Sequence, residues 1–273
     1  EVDFRMSHRL VSLTSGKASF EGPEGEVEIQ ANAIILALGG GSWPQTGSDG
    51  AWVETLEKAG VKVHPLAPAN CGWEVDWSSE LVEQLEAQPL KNVVASAGDK
   101  IAPGEIMLTH YGMEGGPLYA LGPMLRTMKD PLLTLDFKPT FTIEKLVSKM
   151  ESAKKNFLAE SQYRWKLSGS MRLILDHFHG PFLSAEHLAQ HTKACRIPLT
   201  KTRPIEEAIS SSGGVPWKTI NDQLMIKDLP GIFVAGEMID WEAPTGGYLL
   251  QGCFASGTRA AEAALAFKTS TSC

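Results

Sequence analysis

The stretch VAGEMIDWEAPTGGYLLQGCFASGTRAAEAA, residues 234–264, sets a carboxylate and a glycine pair between an apolar strand and an amphipathic helix. Gly236 and Glu237 directly follow the run GIFVA, where a carboxylate can accept hydrogen bonds from the hydroxyls of a sugar or polyol. Thr245, Gly246 and Gly247 then lead into a long helix, whose first N–H groups lack intrahelical partners and carry the positive end of its dipole. Glycines there let a flat or anionic group approach the backbone closely. A second apolar run, AIILALGGG, also ends in glycines, Gly39, Gly40 and Gly41. Ligands of open α/β sheets sit at such strand ends. A flavin dinucleotide suits these features, having ribityl hydroxyls and a ring that gains negative charge at N1/O2 on reduction. A junction that only packs a strand onto a helix uses the same glycines, so the residues leave both readings open.

Other reactive side chains stand elsewhere. His110 and Tyr111, in THYG, put a titratable ring beside a phenol. In a reductase either could donate a proton to substrate; the alternative is a turn of a β subdomain. His177 and His179 are spaced i, i+2 beside Asp176, but no further ligand cluster accompanies them, so a packed or surface role is read and no metal is expected. Cys253 lies early in a helix whose dipole would lower its pKa. It has no partner cysteine and reads as a packed small residue. Cys71, Cys195, Cys253 and Cys273 are scattered without a Cys-x-x-Cys pair, which argues against zinc or a disulfide framework and for reduced thiols in a cytoplasm.

The elements that must position these groups follow from periodicity. FRMSHRLVSLTS and KASFEGPEGEVEIQA alternate as strands, broken at Gly16 and at Gly22, Pro23, Glu24 and Gly25. The run 33–38 is apolar throughout, as in a strand buried on both faces. Trp52, Val53, Leu56 and Ala59 have helical spacing, with Asp49 as a cap and Gly60 as the stop. From 61 to about 136 the chain is rich in Pro and Gly with short β pieces, as in a small barrel or sandwich. From about 142 to 191 it is helical, with Ile143, Leu146, Val147, Met150, Phe157 and Leu158 on one stripe and Ser184 capping a later helix. Trp73, Trp77 and Trp165 read as core or interface anchors. Strands return from about 195 and a helix closes the chain at 249–267. The pattern predicts an α/β (α+β overall) protein in which both chain ends form one sheet domain, with a β and a helical subdomain inserted between.

Composition bounds the function. With 43% hydrophobic and 21% charged residues the chain can bury a core. The net charge of −7 argues against nucleic acid as a general partner. The run 33–38 is too short to cross a bilayer, and EVDFRMSHRL is no signal peptide. A cytoplasmic protein with a small-molecule substrate is expected, its oligomeric state left open.

The segments ANAIILALGGGSWPQTGSDG, GEIMLTHYGMEGGP, SSGGV and VAGEMIDWEAPTGGYLLQGCFASGTRAAEAA occur in that order over nearly the whole chain. The series resembles bacterial NAD(P)/FAD-dependent oxidoreductases, a family of mostly unknown substrate with bile-acid-type dehydrosteroid reductases among its relatives and a glutathione-reductase-like FAD fold. The resemblance implies an FAD-binding Rossmann-like domain at 1–62 and 223–273. Between them it implies a β-barrel-like insertion at 63–138, a helical insertion at 139–195 and a return through the β insertion at 196–222. It places Gly39, Gly40 and Gly41 near the dinucleotide, with Pro44, Thr46 and Gly47 shaping the next loop. Gly236 and Glu237 meet the ribityl or pyrophosphate region. Thr245, Gly246, Gly247, Tyr248 and Leu249 face the flavin ring, and Gln251 lies one turn further on. The family opens on a G-x-G-x-x-G turn; none stands here, and GGGSWPQTG has the wrong spacing. The resemblance therefore implies a fragment lacking that segment, inactive and holding FAD weakly or not at all, with NAD(P)H as the possible electron source. The alternative is a non-catalytic binding module derived from a flavoprotein.

Overall fold

Short alternating segments separated by left-handed glycines open the chain, and they fold as a meander. A computed structural model describes residues 2–267; Cys273 lies outside the described residues. Strands β1 (Arg9–Thr14), β2 (Lys17–Gly22) and β3 (Gly25–Gln30) form an antiparallel sheet, with Arg9 opposite Glu21 and Lys17 opposite Gln30. Gly16, at φ +75°, makes the first turn. Leu10, Leu13 and Ala18 turn inward. Strand β4 (Ile34–Leu36) follows, then helix α1 (Trp52–Lys58), which buries Trp52, Thr55 and Leu56. The Asp49 carboxylate accepts the Ala51 N–H at 3.0 Å just before this helix, and Gly60, at φ +83°, follows its end. Strand β5 (His64–Ala69) ends the first pass.

The segment Asn70–Arg203 is a compact unit of its own. It contains β6 (Trp73–Glu74), α2 (Ser79–Leu85), β7 (Pro89–Ala97), β8 (Lys100–Thr109), β9 (Gly112–Glu114), α3 (Gly116–Thr127) and β10 (Leu132–Asp136). Helices α4 (Ile143–Ser148), α5 (Phe157–Arg164), α6 (Gly169–His179) and α7 (Ala185–Lys193) and strand β11 (Cys195–Pro198) complete it. The six strands are ordered β11-β10-β7-β8-β9-β6. The chain continuing from β11 reaches the opposite edge: the Glu74 N–H donates to the Lys201 carbonyl at 2.8 Å and the Arg203 N–H to the Gly72 carbonyl at 2.9 Å. The sheet thus curls until its two edges are joined by one continuous segment. Leu90, Ile106, Leu108 and Leu133 from the strands and Leu118, Leu121 and Leu125 from α3 form its core. Removing one such leucine side chain costs about 2–5 kcal/mol.

The chain then returns to the first unit, which joins residues up to Ala69 with those from Pro204 onward. Strand β12 (Ser210–Gly214) pairs antiparallel with β5, Ser210 opposite Ala69. Strand β13 (Ile232–Val234), buried at every residue, pairs parallel with β4: Ile232 opposite Ile34, Val234 opposite Leu36. The two distant apolar runs therefore share a sheet, and helix α8 (Tyr248–Ala266) packs Ala260 and Ala263 into the same core. Among the described residues no helix is long and apolar enough to cross a membrane.

Two features differ from the sequence reading. Residues 64–69 and 210–214, read as parts of the β insertion, pair with each other in the first unit. The apolar stripe across 143–158 is interrupted: α4 ends at Ser148, Met150 lies between the helices, and Asn156, left-handed at φ +56°, stands at the N-cap of α5.

Candidate functional site

The parallel pair brings the ends of β4 and β13 together, and with them the two glycine-flanked loops. The first loop is held by its carbonyls: Trp52 Nε1 donates to the Gly39 oxygen at 3.0 Å, and the Ser48 hydroxyl donates to the Gly40 oxygen. Ser211, from β12, ties the two loops together. Its Oγ accepts the Gly41 N–H at 3.0 Å, while its N–H and hydroxyl both donate to Glu237 Oε1, at 2.8 and 3.2 Å. Gly40 is obligatory on packing grounds, since a Cβ there would lie 1.9 Å from Ser211 Oγ and 2.7 Å from Glu237 Cδ. The Gly236 N–H is satisfied by the Ser256 hydroxyl of α8 at 2.9 Å.

Beside this clamp lies a cavity of about 660 Å³ lined by Leu38, Gly39, Gly40, Thr46, Gly47 and Glu237, among others. Gly47, at φ +128°, has nothing within 4 Å of where a Cβ would stand, so a side chain there would project into open space. Glu237 Oε1 carries both Ser211 bonds, and no donor reaches Oε2 among the described residues. One wall is thus bare backbone, and another offers a carboxylate oxygen able to accept from a ligand hydroxyl.

The remaining residues expected at a cofactor site are not all in this cavity. Gly41 and Pro44 line a smaller one of about 330 Å³ with Leu66 and Ile205. Gly236 and Leu249 line a third, of about 640 Å³, with Trp217, Trp241, Cys253 and Arg259. Thr245, Gly246, Gly247, Tyr248 and Gln251 are exposed; Gly247, at φ +87°, is the N-cap of α8, and no side chain caps that helix end. Cys253 sits against Glu237, and burial together with that carboxylate raises its thiol pKa. The expected lowering by the helix dipole is outweighed.

His110 and Tyr111 belong to the unit Asn70–Arg203. His110 is exposed, 3.5 Å from Glu86, with its ring edge-on to Tyr111. Tyr111 is half-buried: its hydroxyl donates to Glu114 Oε2 at 2.6 Å, and the Arg203 guanidinium lies 4.5 Å from its ring centroid. Burial first, then the bond to Glu114, hold the phenol far above its usual value of 10. It is a neutral donor aimed at a carboxylate. His179 accepts the Arg196 N–H at 3.1 Å and stacks on His191 at 4.1 Å; burial first, then neighbouring imidazoles, lower the pKa of both rings. Among the described residues no group of His, Cys, Asp and Glu is arranged to hold a metal ion.

Two features escaped the sequence. Ser211 lies in the SSGGV segment, but nothing local marks it as the clamp on Glu237. His64 Nδ1 lies 2.6 Å from Asp240 Oδ2, a half-buried pair 176 residues apart in sequence.

Residues 1–263 match the HI0933-like protein Rossmann domain. The 3-dehydro-bile acid delta(4,6)-reductase of Clostridium scindens is 26% identical over 259 residues, covering 86% of this chain and 62% of the reductase. The ribosomal RNA dihydrouridine synthase of Escherichia coli is 19% identical over 282 residues, covering 98% of this chain and 70% of the synthase. A solved 3-ketosteroid-delta4-(5alpha)-dehydrogenase from Rhodococcus jostii RHA1, in complex with 4-androstene-3,17-dione, aligns with 94% of this chain and 58% of its own, at 13% identity and TM-score 0.37. The chain spans less than two thirds of the length of the bile acid reductase. On the match over residues 1–263, the chain belongs to the HI0933-like protein Rossmann domain family.

Proposed function

We propose that this chain binds FAD and forms part of a flavin-dependent oxidoreductase, an NAD(P)H-linked reductase of a small organic substrate. The family is one of flavoprotein oxidoreductases, and the observation that carries the reading to these residues is the clamped Glu237. Its carboxylate is fixed by Ser211 at the ends of two adjacent parallel strands, beside a cavity walled by Gly39, Gly40 and Gly47. Ligands of doubly wound folds collect at such strand ends.

The residues fit the group. Glu237 Oε2 accepts from a polyol hydroxyl, and the bare backbone at Gly39 and Gly40 admits a flat or anionic moiety. Bound FAD would supply hydride transfer. His110 and Tyr111 are the proposed proton donors; the His110 ring is exposed, whereas the Tyr111 hydroxyl donates to Glu114 in this structure and must leave it to reach a substrate. The free thiols of Cys195 and Cys253 suit a reducing compartment, here proposed to be the cytoplasm.

These 273 residues contain no G-x-G-x-x-G cradle, so FAD is proposed to bind them weakly and reversibly. Charge-assisted bonds of the kind such a cradle makes contribute roughly 1.5–3 kcal/mol each. Equilibrium dialysis against FAD, read by visible flavin absorbance, tests the site. Glu237→Ala and Ser42→Trp, the latter filling the groove, should each lower occupancy while leaving the circular dichroism unchanged. Flavin uptake by both variants equal to that of the parent would remove the assignment.

A further inference from the structure

The DHFHG segment at the end of α6 meets two further imidazoles in the fold. His187 and His191 stand one turn apart on α7, so they share a face of that helix. The His179 ring stacks on His191 with centroids 4.1 Å and planes 22° apart, and His187 meets His191 edge-on at 4.9 Å. Phe182, in the connection between the two helices, lies 5.4 Å from His187 and 6.1 Å from His191. All four side chains are half-buried.

The stack is also fastened to the sheet. β11 is an end strand of the six, and its Arg196 N–H donates to His179 Nε2 at 3.1 Å. Only an imidazole with its proton on Nδ1 can accept there; once both ring nitrogens carry protons, no acceptor is left. Protonation therefore breaks the bond and sets one N–H against another. No carboxylate offsets the new charge. The groups that act on His179 are His191 and His187 of α7 and Arg196 of β11, and His187 acts on His191, all of them basic. Asp136 of β10 is paired with Lys193, and Glu160 of α5 with Arg164. Asp176 of α6, Glu186 of α7, Glu144 of α4 and Glu80 and Glu83 of α2 are exposed, and among the described residues none of them bonds to the three rings.

We propose that His179, His187 and His191 form a proton-sensitive latch that fastens the α6–α7 connection to the edge strand β11 at neutral pH and releases it on acidification. Burial first, then the neighbouring imidazoles, hold the pKa of His179 and His191 below the usual 6.5. In the released state the rings take up protons at their ordinary value, so that state binds more protons than the closed one. The latch is therefore closed above about pH 6.5 and opens as pH falls below it. Two charged rings stacked at 4.1 Å repel each other, so opening takes up more than one proton and is steeper than a single titration. The latch lies within the unit Asn70–Arg203 and does not depend on flavin binding.

Hydrogen–deuterium exchange of the 273-residue chain, read by NMR and corrected for the pH dependence of intrinsic exchange, tests the latch. Protection of the Arg196 amide should fall by about tenfold between pH ~7 and pH ~5. The Leu108 N–H, bonded to the Gln88 carbonyl in the curled sheet, should keep its protection. His179→Gln/His191→Phe retains an acceptor and an aromatic face but removes two titrating rings, and should flatten the response. His177→Gln, on the exposed side of the same segment, should leave the response unchanged. Should the double variant fail to fold, imidazole NMR of the parent takes its place: His179 should carry its proton on Nδ1 at neutral pH and titrate together with the loss of Arg196 protection. A flat parent response, one that spreads equally to Leu108, or one that persists in His179→Gln/His191→Phe would overturn the proposal. Titration of His179 with Arg196 still protected would do the same.

Discussion

Gly40→Ala probes the joint between the two glycine loops. The residue is not in the left-handed region, so the substitution acts through space alone. Its Cβ would stand 1.9 Å from Ser211 Oγ and 2.7 and 2.9 Å from Glu237 Cδ and Oε1. Ser211 cannot rotate away without releasing the Gly41 N–H and its own hydroxyl bond to Glu237. Overpacking costs about 1–3 kcal/mol, and a hydrogen bond to a charged group contributes roughly 1.5–3 kcal/mol. Because part of the strain is relieved by breaking the bond, the two do not sum fully, and a net loss of about 3 kcal/mol is expected. For a domain of this size that lowers the melting temperature by roughly 6–12 °C. A double-mutant cycle makes the argument specific. Ser211→Ala alone destabilises, but in the Gly40→Ala background it removes the closest clash and costs far less, giving a coupling of at least about 1 kcal/mol. Urea unfolding followed by tryptophan fluorescence and circular dichroism measures all four corners. Additive effects, or a Gly40→Ala protein as stable as the parent, would refute the clamp.

Three further outcomes are expected. The Tyr111 phenol is held above its usual value, so above about pH 10 the unfolded chain loses a proton that the folded one keeps, and stability falls as pH rises; Glu114→Gln should shrink that fall, as read by urea midpoints between neutral pH and pH ~11. Cys253 is shielded by burial and by Glu237, so its reaction with a thiol-specific reagent near neutral pH should be slow and should speed up in Glu237→Gln; an unchanged rate would remove Glu237 from its surroundings. Ser184→Ala deletes the hydroxyl that accepts the His187 N–H at the start of α7 and should cost about 0.5–2 kcal/mol in chemical denaturation.

What the sequence made legible were elements whose signal is local. Residues 33–38 and 232–235 read as strands because every side chain is apolar and glycine follows, and they pair in register, Ile34 with Ile232; β13 is buried throughout, but Ile35 of β4 is 41% exposed, so the reading of 33–38 as buried on both faces does not hold. Ser184 read as a cap from its place before a helical stripe, and its hydroxyl caps. The groove beside Gly40 and Glu237 was legible as chemistry but not as geometry. Glu237 depends on Ser211, and Gly40 on both, and no periodicity links positions so far apart. The same holds for His64 with Asp240 and for the stretch 200–203 that joins β6. Periodicity also missed the break between Ser148 and Phe157, since apolar residues such as Met150 keep the spacing of the stripe across it.

These long-range pairings explain how one chain can hold a large excursion inside its site-bearing unit. The excursion leaves after Ala69 and returns at Pro204, and Ala69 is paired with Ser210 across β5 and β12. That ladder fixes the two crossing points beside each other, and it continues directly into Ser211, the residue that clamps Glu237. Closing a flexible loop costs only about 0.6 kcal/mol more for each doubling of its length. Once β5 and β12 are paired, the size of the excursion has little effect on the stability of the clamp. The excursion is itself a compact unit, its curled sheet joined edge to edge by its own segment 200–203. Weakening the β5–β12 ladder should therefore loosen Glu237 before it disturbs the leucine core of the inserted unit. Substitutions in that core, such as Leu108→Ala, should leave the carboxylate in place.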